Sequence, residues 1–200
     1  DTDRGSTNFW GSEIDTRKVD ISTKLGYVFR DKPYQSIGFQ NAFSSYNQDS
    51  YFGLRGYNIK QNSFYSNLIF NSIISNDKNK FATGLNFTYD DYSEFINTTD
   101  YSRIDNTAGI FFEYTFDNHD NFSMILGGRA DYGNRLGVFA TPRIHLKYNP
   151  WEKAVLRASL GRGKRPANIF AENQTLFASS RVFEVVNAGG KLYGLDPEIT

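Results

Sequence analysis

The residues able to do chemistry fall into a few groups. Asp90, Asp91 and Glu94 bring three carboxylates close together. Hard cations take several such oxygens, but the spacing is not that of a calcium-binding loop. His119 and His145 are the two imidazoles, neither has metal-ligand company, and the chain holds no cysteine for a thiolate site. Gly161-Arg162-Gly163-Lys164 lacks the spacing and the Ser/Thr of a phosphate-binding loop. Ser179 and Ser180 have no identifiable His and acid partners for nucleophilic work. No metal, no cofactor and no catalytic set emerges, so the chain is not read as an enzyme. What remains is charge and rings. Arg129, Asp131, Arg143, His145, Lys147 and Arg157 recur at even spacings, Arg162 to Arg165 is a basic run, and aromatic side chains crowd the stretches between alternating segments.

Composition narrows what those groups can serve. Twenty-two Lys+Arg balance 22 Asp+Glu over 200 residues. A nucleic-acid partner is therefore not expected, since backbone-tracking proteins carry a basic excess. Aromatic residues make up 16% of the chain, which opposes disorder. No apolar run approaches the roughly 18 to 20 residues of a membrane helix. The mean hydropathy of −0.53 does not settle solubility, because a membrane strand hides half its residues from a hydropathy window.

The elements that must position these groups are strands. Period-two alternation runs through Lys18–Arg30, where Val19, Ile21, Thr23, Leu25, Tyr27 and Phe29 oppose Lys18, Asp20, Ser22, Lys24 and Arg30. It recurs around Ile37–Phe43, Phe64–Ile74, Phe81–Asp90, Thr107–Phe116, Phe122–Tyr132, Arg143–Tyr148 and Val155–Leu160. The reading is all-β, an antiparallel meander of about eight long strands. Several runs are longer than the strands of soluble sheets and match the about 9 to 11 residues of a bilayer crossing. Strand-core charges keep to the polar parity, and the apolar parity tends to end in rings such as Tyr27, Phe29, Tyr89, Tyr114, Phe116, Tyr132 and Tyr148, with Trp151 just beyond.

Connections alternate short and long. Asp31–Pro33, Asn76–Asn79, Asn118–Asp120 and Asn149–Lys153 read as tight turns; Asn47–Asn62, Asp91–Arg103, Gly133–Val138 and the stretch after Arg162 read as longer loops. A membrane meander gives that order, with tight periplasmic turns and larger outer loops, whereas Greek-key sandwiches rarely do. On this topology both ends of the sequence lie outside the cell. A complete bacterial barrel normally has periplasmic ends, so the expectation is an excerpt, an open arc of a larger barrel.

From Gly127 the residues become specific. Gly-Gly-Arg-Ala-Asp-Tyr (127 to 132), Ala-Thr-Pro-Arg-Ile-His-Leu-Lys-Tyr (140 to 148), Leu-Arg-Ala-Ser-Leu-Gly-Arg-Gly-Lys-Arg-Pro-Ala-Asn-Ile-Phe-Ala-Glu-Asn (156 to 173) and Ala-Ser-Ser-Arg (178 to 181) follow in order. With the closing Leu-Asp-Pro-Glu (195 to 198), they resemble the barrel of TonB-dependent outer-membrane receptors of the type common in Bacteroidetes. Lys-Leu-Gly-Tyr-Val-Phe (24 to 29) and Gly-Leu-Asn-Phe-Thr-Tyr-Asp (84 to 90) fit more loosely. The resemblance implies that residues 1–200 are part of an outer-membrane barrel of about 22 strands, with the plug domain and remaining strands outside this sequence. It also implies active uptake of a scarce nutrient (an iron–siderophore, another metal chelate or cobalamin). The implied partners are outer-membrane lipid and lipopolysaccharide, the receptor's own plug and through it TonB, and a small-molecule nutrient. The competing readings are a passive porin or structural barrel, and a secreted carbohydrate-binding or adhesion module.

Two sets of residues are the site candidates. Arg129, Asp131, Arg143, His145, Lys147 and Arg157 share one parity of successive strands and should line the bore, where they either contact ligand or plug or simply solvate the lining. Tyr51, Phe52, Tyr57, Tyr92, Phe95, Tyr101, Arg165, Glu172 and Asn173 fall in expected outer segments, with Tyr46, Phe170, Phe177, Phe183 and Tyr193 nearby. Their rings either stack a ligand or pack the loops on themselves. The Arg162–Arg165 run reads as outer-face charge, meeting lipopolysaccharide phosphates, a ligand or solvent.

Overall fold

The computed structural model describes residues 7–179. Its strands are β1 (Ser12–Val28), β2 (Ser36–Phe52), β3 (Arg55–Ile74), β4 (Asn76–Ile96), β5 (Thr99–Asp100), β6 (Arg103–Asp117), β7 (Phe122–Gly133), β8 (Gly137–Ala140), β9 (Arg143–Trp151) and β10 (Ala154–Gly161). They form one antiparallel sheet in the order β1-β2-β3-β4-β6-β7-β9-β10, with β5 paired to β4 and β8 to β7. The eight long strands are those the alternation predicts, each beside its neighbour in sequence.

Register explains why the alternation is so continuous. Leu25 pairs with Phe39, Phe39 with Leu68, Leu68 with Leu85, Leu85 with Ile110 and Ile110 with Ala130. Further on, Met124 pairs with Leu146, and Leu146 with Ala158. Apolar side chains thus meet apolar side chains across the whole sheet, and one face is greasy from edge to edge. No second layer covers it among the described residues: Leu85 is 55% exposed, Ile110 60%, Phe112 49% and Leu160 76%. A sandwich would bury these residues, and in water the face would drive aggregation.

That greasy face is a band with limits. In β4 it runs from Phe81 to Tyr89, nine residues, and in β1 from Val19 to Tyr27, also nine. At about 3.3 Å per residue and a tilt of about 40°, nine residues span about 23 Å of height, close to the about 25 Å apolar belt of membrane barrels. Above Val19 the same face reads Arg17, Asp15, Glu13; above Phe43 it reads Ser45, Asn47, Asp49; above Phe64 it reads Asn62, Lys60, Asn58. The band also slides along the register. Thr23, central in β1, connects through Asn41 and Ser66 to Phe87, two residues above Leu85 at the centre of the β4 band. Strands that lean away from the membrane normal must show such a drift.

The two ends of the strands differ. One end has tight turns. Asn76 Oδ1 accepts from the Lys78 amide at 3.2 Å, and Asn118 Oδ1 accepts from the Asp120 and Phe122 amides. His119 Nε2 lies 3.3 Å from Asp77, tying two of these turns together. At the other end the expected loops are paired strand instead. Phe52 pairs with Arg55, leaving Gly53-Leu54 as the whole connection, and Gly53 takes φ +62, a left-handed value that favours glycine. β4 likewise continues to Ile96 and turns back at Asn97-Thr98 into β5. The stretch 133–138 becomes the β7–β8 hairpin. The physical reason is that a strand beyond the band loses its apolar outer residues but keeps its backbone ladder.

Candidate functional site

The face opposite the greasy band carries the polar chemistry, and small residues make room for it. A Cβ on Gly109 would sit 1.9 Å from Asp131 Oδ1, so only glycine lets the Asp131 carboxylate lie across β6. Arg129 Nε donates to both Asp131 oxygens, at 2.7 and 2.8 Å, and the Asp131 residue is 3% exposed. Arg143 donates to Glu113. Of the six expected lining residues, two are thus mutually paired and a third, Arg143, is matched by an acid outside the six, Glu113. Glu113 was nonetheless legible, because it shares the polar parity of β6. His145, Lys147 and Arg157 gather nearer the turn end around a cavity of about 340 Å³. Lys147 faces Arg157 directly across β9–β10, and like charges so placed repel.

At the hairpin end this face turns apolar, and residues after β10 fold back onto it. Helix α1 (Ile169–Glu172) is capped by Asn168, whose Oδ1 accepts from the Ala171 amide, and a 3-10 turn (Gln174–Ala178) follows. Ile169, Phe170 and Phe177 bury themselves against Tyr57 and Ile59, with Phe52, Tyr92, Ile96 and Tyr101 at the margin. Phe177 stacks on both Phe52 and Tyr57, at 5.9 and 5.1 Å, and Phe170 meets Tyr101 at 4.7 Å. Arg55 Nη1 donates to the Phe177 and Ser179 carbonyls. Beneath lies an ion-pair network. Glu94, fully buried, accepts from Tyr57 Oη at 2.7 Å and from Arg103 Nη1 at 2.5 Å. Arg103 stacks over the Tyr92 ring and approaches Asp105, which Arg135 also contacts at 3.1 Å. Burial, with the nearby Asp90 carboxylate, pushes the Tyr92 phenol up to about 12.

The ring candidates separate accordingly. Phe52, Tyr57, Tyr92 and Tyr101 lie in or against the packed cluster, whereas Phe95 is exposed on the opposite face and Tyr51 is half-buried on that face. Glu172 pairs with Arg165 at 2.9 Å, and Asn173 Nδ2 donates to the Ile169 carbonyl at 2.8 Å, so both brace α1. Phe183, Tyr193, Ser180 and the 181 and 195–198 motif residues lie outside the described residues. The docking of Ile169 and Phe170 had no signal in the sequence, because a single helical turn is too short to show periodicity.

Asp90, Asp91 and Glu94 do not converge as a cation site. Asp90 accepts from Ser63 and Gln61, Glu94 is held by Tyr57 and Arg103, and Asp91 belongs to the opposite face. No group of three or more His, Cys, Asp or Glu able to hold a metal occurs among the described residues.

A family model described as "TonB dependent receptor-like, beta-barrel" matches residues 1–200. No curated protein matches the chain.

Proposed function

The chain belongs to the TonB-dependent receptor β-barrel family, and from that premise we propose that it supplies wall and outer hairpins to an active importer of a scarce nutrient, a metal chelate such as an iron–siderophore or cobalamin. The family is one of outer-membrane receptors and transporters, not of enzymes. The observation that carries the reading is a single sheet with a nine-residue greasy band on one face and paired charges on the other. Only a wall between acyl chains and a wet bore makes sense of that pattern.

On this reading residues 1–200 are one stretch of a longer polypeptide that also contains the plug and the remaining strands. Ligand arrives at the hairpin end, where the outer rings and the lining charges Arg129, Asp131, Arg143, His145, Lys147 and Arg157 would meet ligand or plug. TonB, pulling on the plug, opens the path.

Two measurements test it. Deleting the gene in its native host should abolish energy-dependent accumulation of the chelate or cobalamin under starvation, and accumulation that survives deletion at the parental rate rejects this importer. A cysteine at Thr98 should react with a membrane-impermeant reagent on intact cells, while one at Lys153 should stay unlabelled until the outer membrane is opened. Both positions are exposed, so equal labelling would overturn the orientation and not reflect burial.

A further inference from the structure

The basic run Arg162–Arg165 lies beside the polar face of the sheet, with Arg162 and Arg165 exposed and Lys164 half-buried. The Arg162 amide donates to the Pro142 carbonyl at 3.0 Å, and the chain then turns over the polar face of the sheet. Lys164 Nζ lies 5.4 Å from the ring of Phe139, which pairs with Asp131 and so shares its face. The result is a cavity of about 340 Å³ whose lining includes Arg129, Arg162, Lys164, Arg165, Thr107 and Thr141. A second cavity of about 460 Å³ shares Arg129, Thr141 and Arg162 with it and extends towards Arg143. Both volumes lie within the about 300 to 1,000 Å³ of small-molecule sites.

Charge decides what would enter. Asp131 is occupied by Arg129 and Glu172 by Arg165, whereas Arg162 and Lys164 form no ion pair among the described residues. Two guanidinium–carboxylate pairs therefore leave two uncompensated cations beside threonine hydroxyls. Arginine forks, an ammonium and hydroxyls are the donor set that recognises carboxylate and phosphate. The depth agrees with entry from outside. Thr107 pairs with Thr88, next to Tyr89 at the upper limit of the band, so the cavity lies just inside the outer mouth.

We propose that this cavity is an oxyanion subsite, holding a carboxylate or phosphate group of the solute that enters from outside. The proposal deepens the importer reading and rests on it for the direction of entry, but binding can be measured without transport.

The test uses the purified full-length receptor, titrated calorimetrically with citrate and, separately, with inorganic phosphate. One of the two should bind saturably, and whichever does names the oxyanion. R162Q/K164Q should weaken that binding about tenfold or more, since each charge-assisted hydrogen bond is worth more than a neutral one. Lys78→Gln, an exposed cation in the tight turn at the opposite end of the strands, should leave it unchanged. T141V, which removes one hydroxyl and no charge, should weaken binding by a smaller factor and serves as the second variant should the double substitution impair assembly. Absence of saturable binding by either anion, or equal binding by the parent and R162Q/K164Q, overturns the subsite. A deletion strain that still takes up its nutrient normally defeats the importer instead, and leaves the calorimetry standing.

Discussion

Leu85→Arg in the full-length receptor is expected to prevent most of the protein from assembling in the outer membrane. Leu85 lies at the centre of the β4 band, between Leu68 and Ile110 on the greasy face. An arginine at mid-depth on a lipid face costs about 2 to 4 kcal/mol, which shifts a folding equilibrium by roughly 30-fold to nearly 1,000-fold. The control is Ser22→Arg, next to Thr23 at the centre of the β1 band but on the opposite face. There the guanidinium stays hydrated, and assembly should be close to parental. The measurement is the folded fraction by heat-dependent electrophoretic mobility, followed by urea unfolding of whatever inserts. If the two arginines were equally tolerated, or if Ser22→Arg were the more damaging, the assignment of faces would be inverted or wrong.

That contrast rests on a pattern legible from the sequence alone, and the reason is mechanical. In a strand, side chains alternate between faces, so a two-solvent environment writes itself directly into odd and even positions. Val19 to Tyr27 and Phe81 to Tyr89 could be read in that way, and so could the shared face of Arg129, Asp131, Arg143, His145, Lys147 and Arg157. The alternation loses its meaning where the solvents change. Above Ser45, Asn62 and Asp91 both faces meet water or protein, the outer parity becomes polar, and Asn47–Asn62 looks like loop although it is paired throughout apart from Gly53-Leu54. What parity cannot encode is contact between distant segments. Nothing near Arg162 signals that the chain would turn inward over Phe139, and nothing near Phe177 signals a stack between Phe52 and Tyr57. These contacts depend on where β10 ends relative to β2–β4, a property of the whole sheet and not of any local spacing.

The buried carboxylate at the hairpin end is where the second large effect is expected. Glu94→Ala removes the acceptor for Tyr57 Oη and for Arg103 Nη1. The Arg103 side chain is 9% exposed, and a second acid, Asp105, lies 3.5 Å from Nε and is shared with Arg135. Breaking one side of a buried pair costs about 3 to 5 kcal/mol, and the partial compensation by Asp105 places Glu94→Ala near the lower figure. An opening cost reduced by about 3 kcal/mol corresponds to roughly a 100-fold faster local opening. The band is anchored in lipid and does not depend on this network, so the loss should be confined to residues 92–103 and to the segment 169–178 that packs on Tyr57. Hydrogen exchange, read by peptide, should therefore rise in those two stretches together and stay at parental rates in Phe81–Tyr89. Glu94→Gln, which still offers an oxygen to Tyr57 but no charge to Arg103, should fall between. E94A/R103M removes both charges and leaves packed aliphatic surface under Tyr92, so it should recover much of the protection, because the penalty comes from a buried guanidinium deprived of the Glu94 carboxylate more than from the missing attraction. Exchange that rises uniformly along the sheet, or a double variant worse than Glu94→Ala, would mean that the network holds the wall itself and not the folded-back segment.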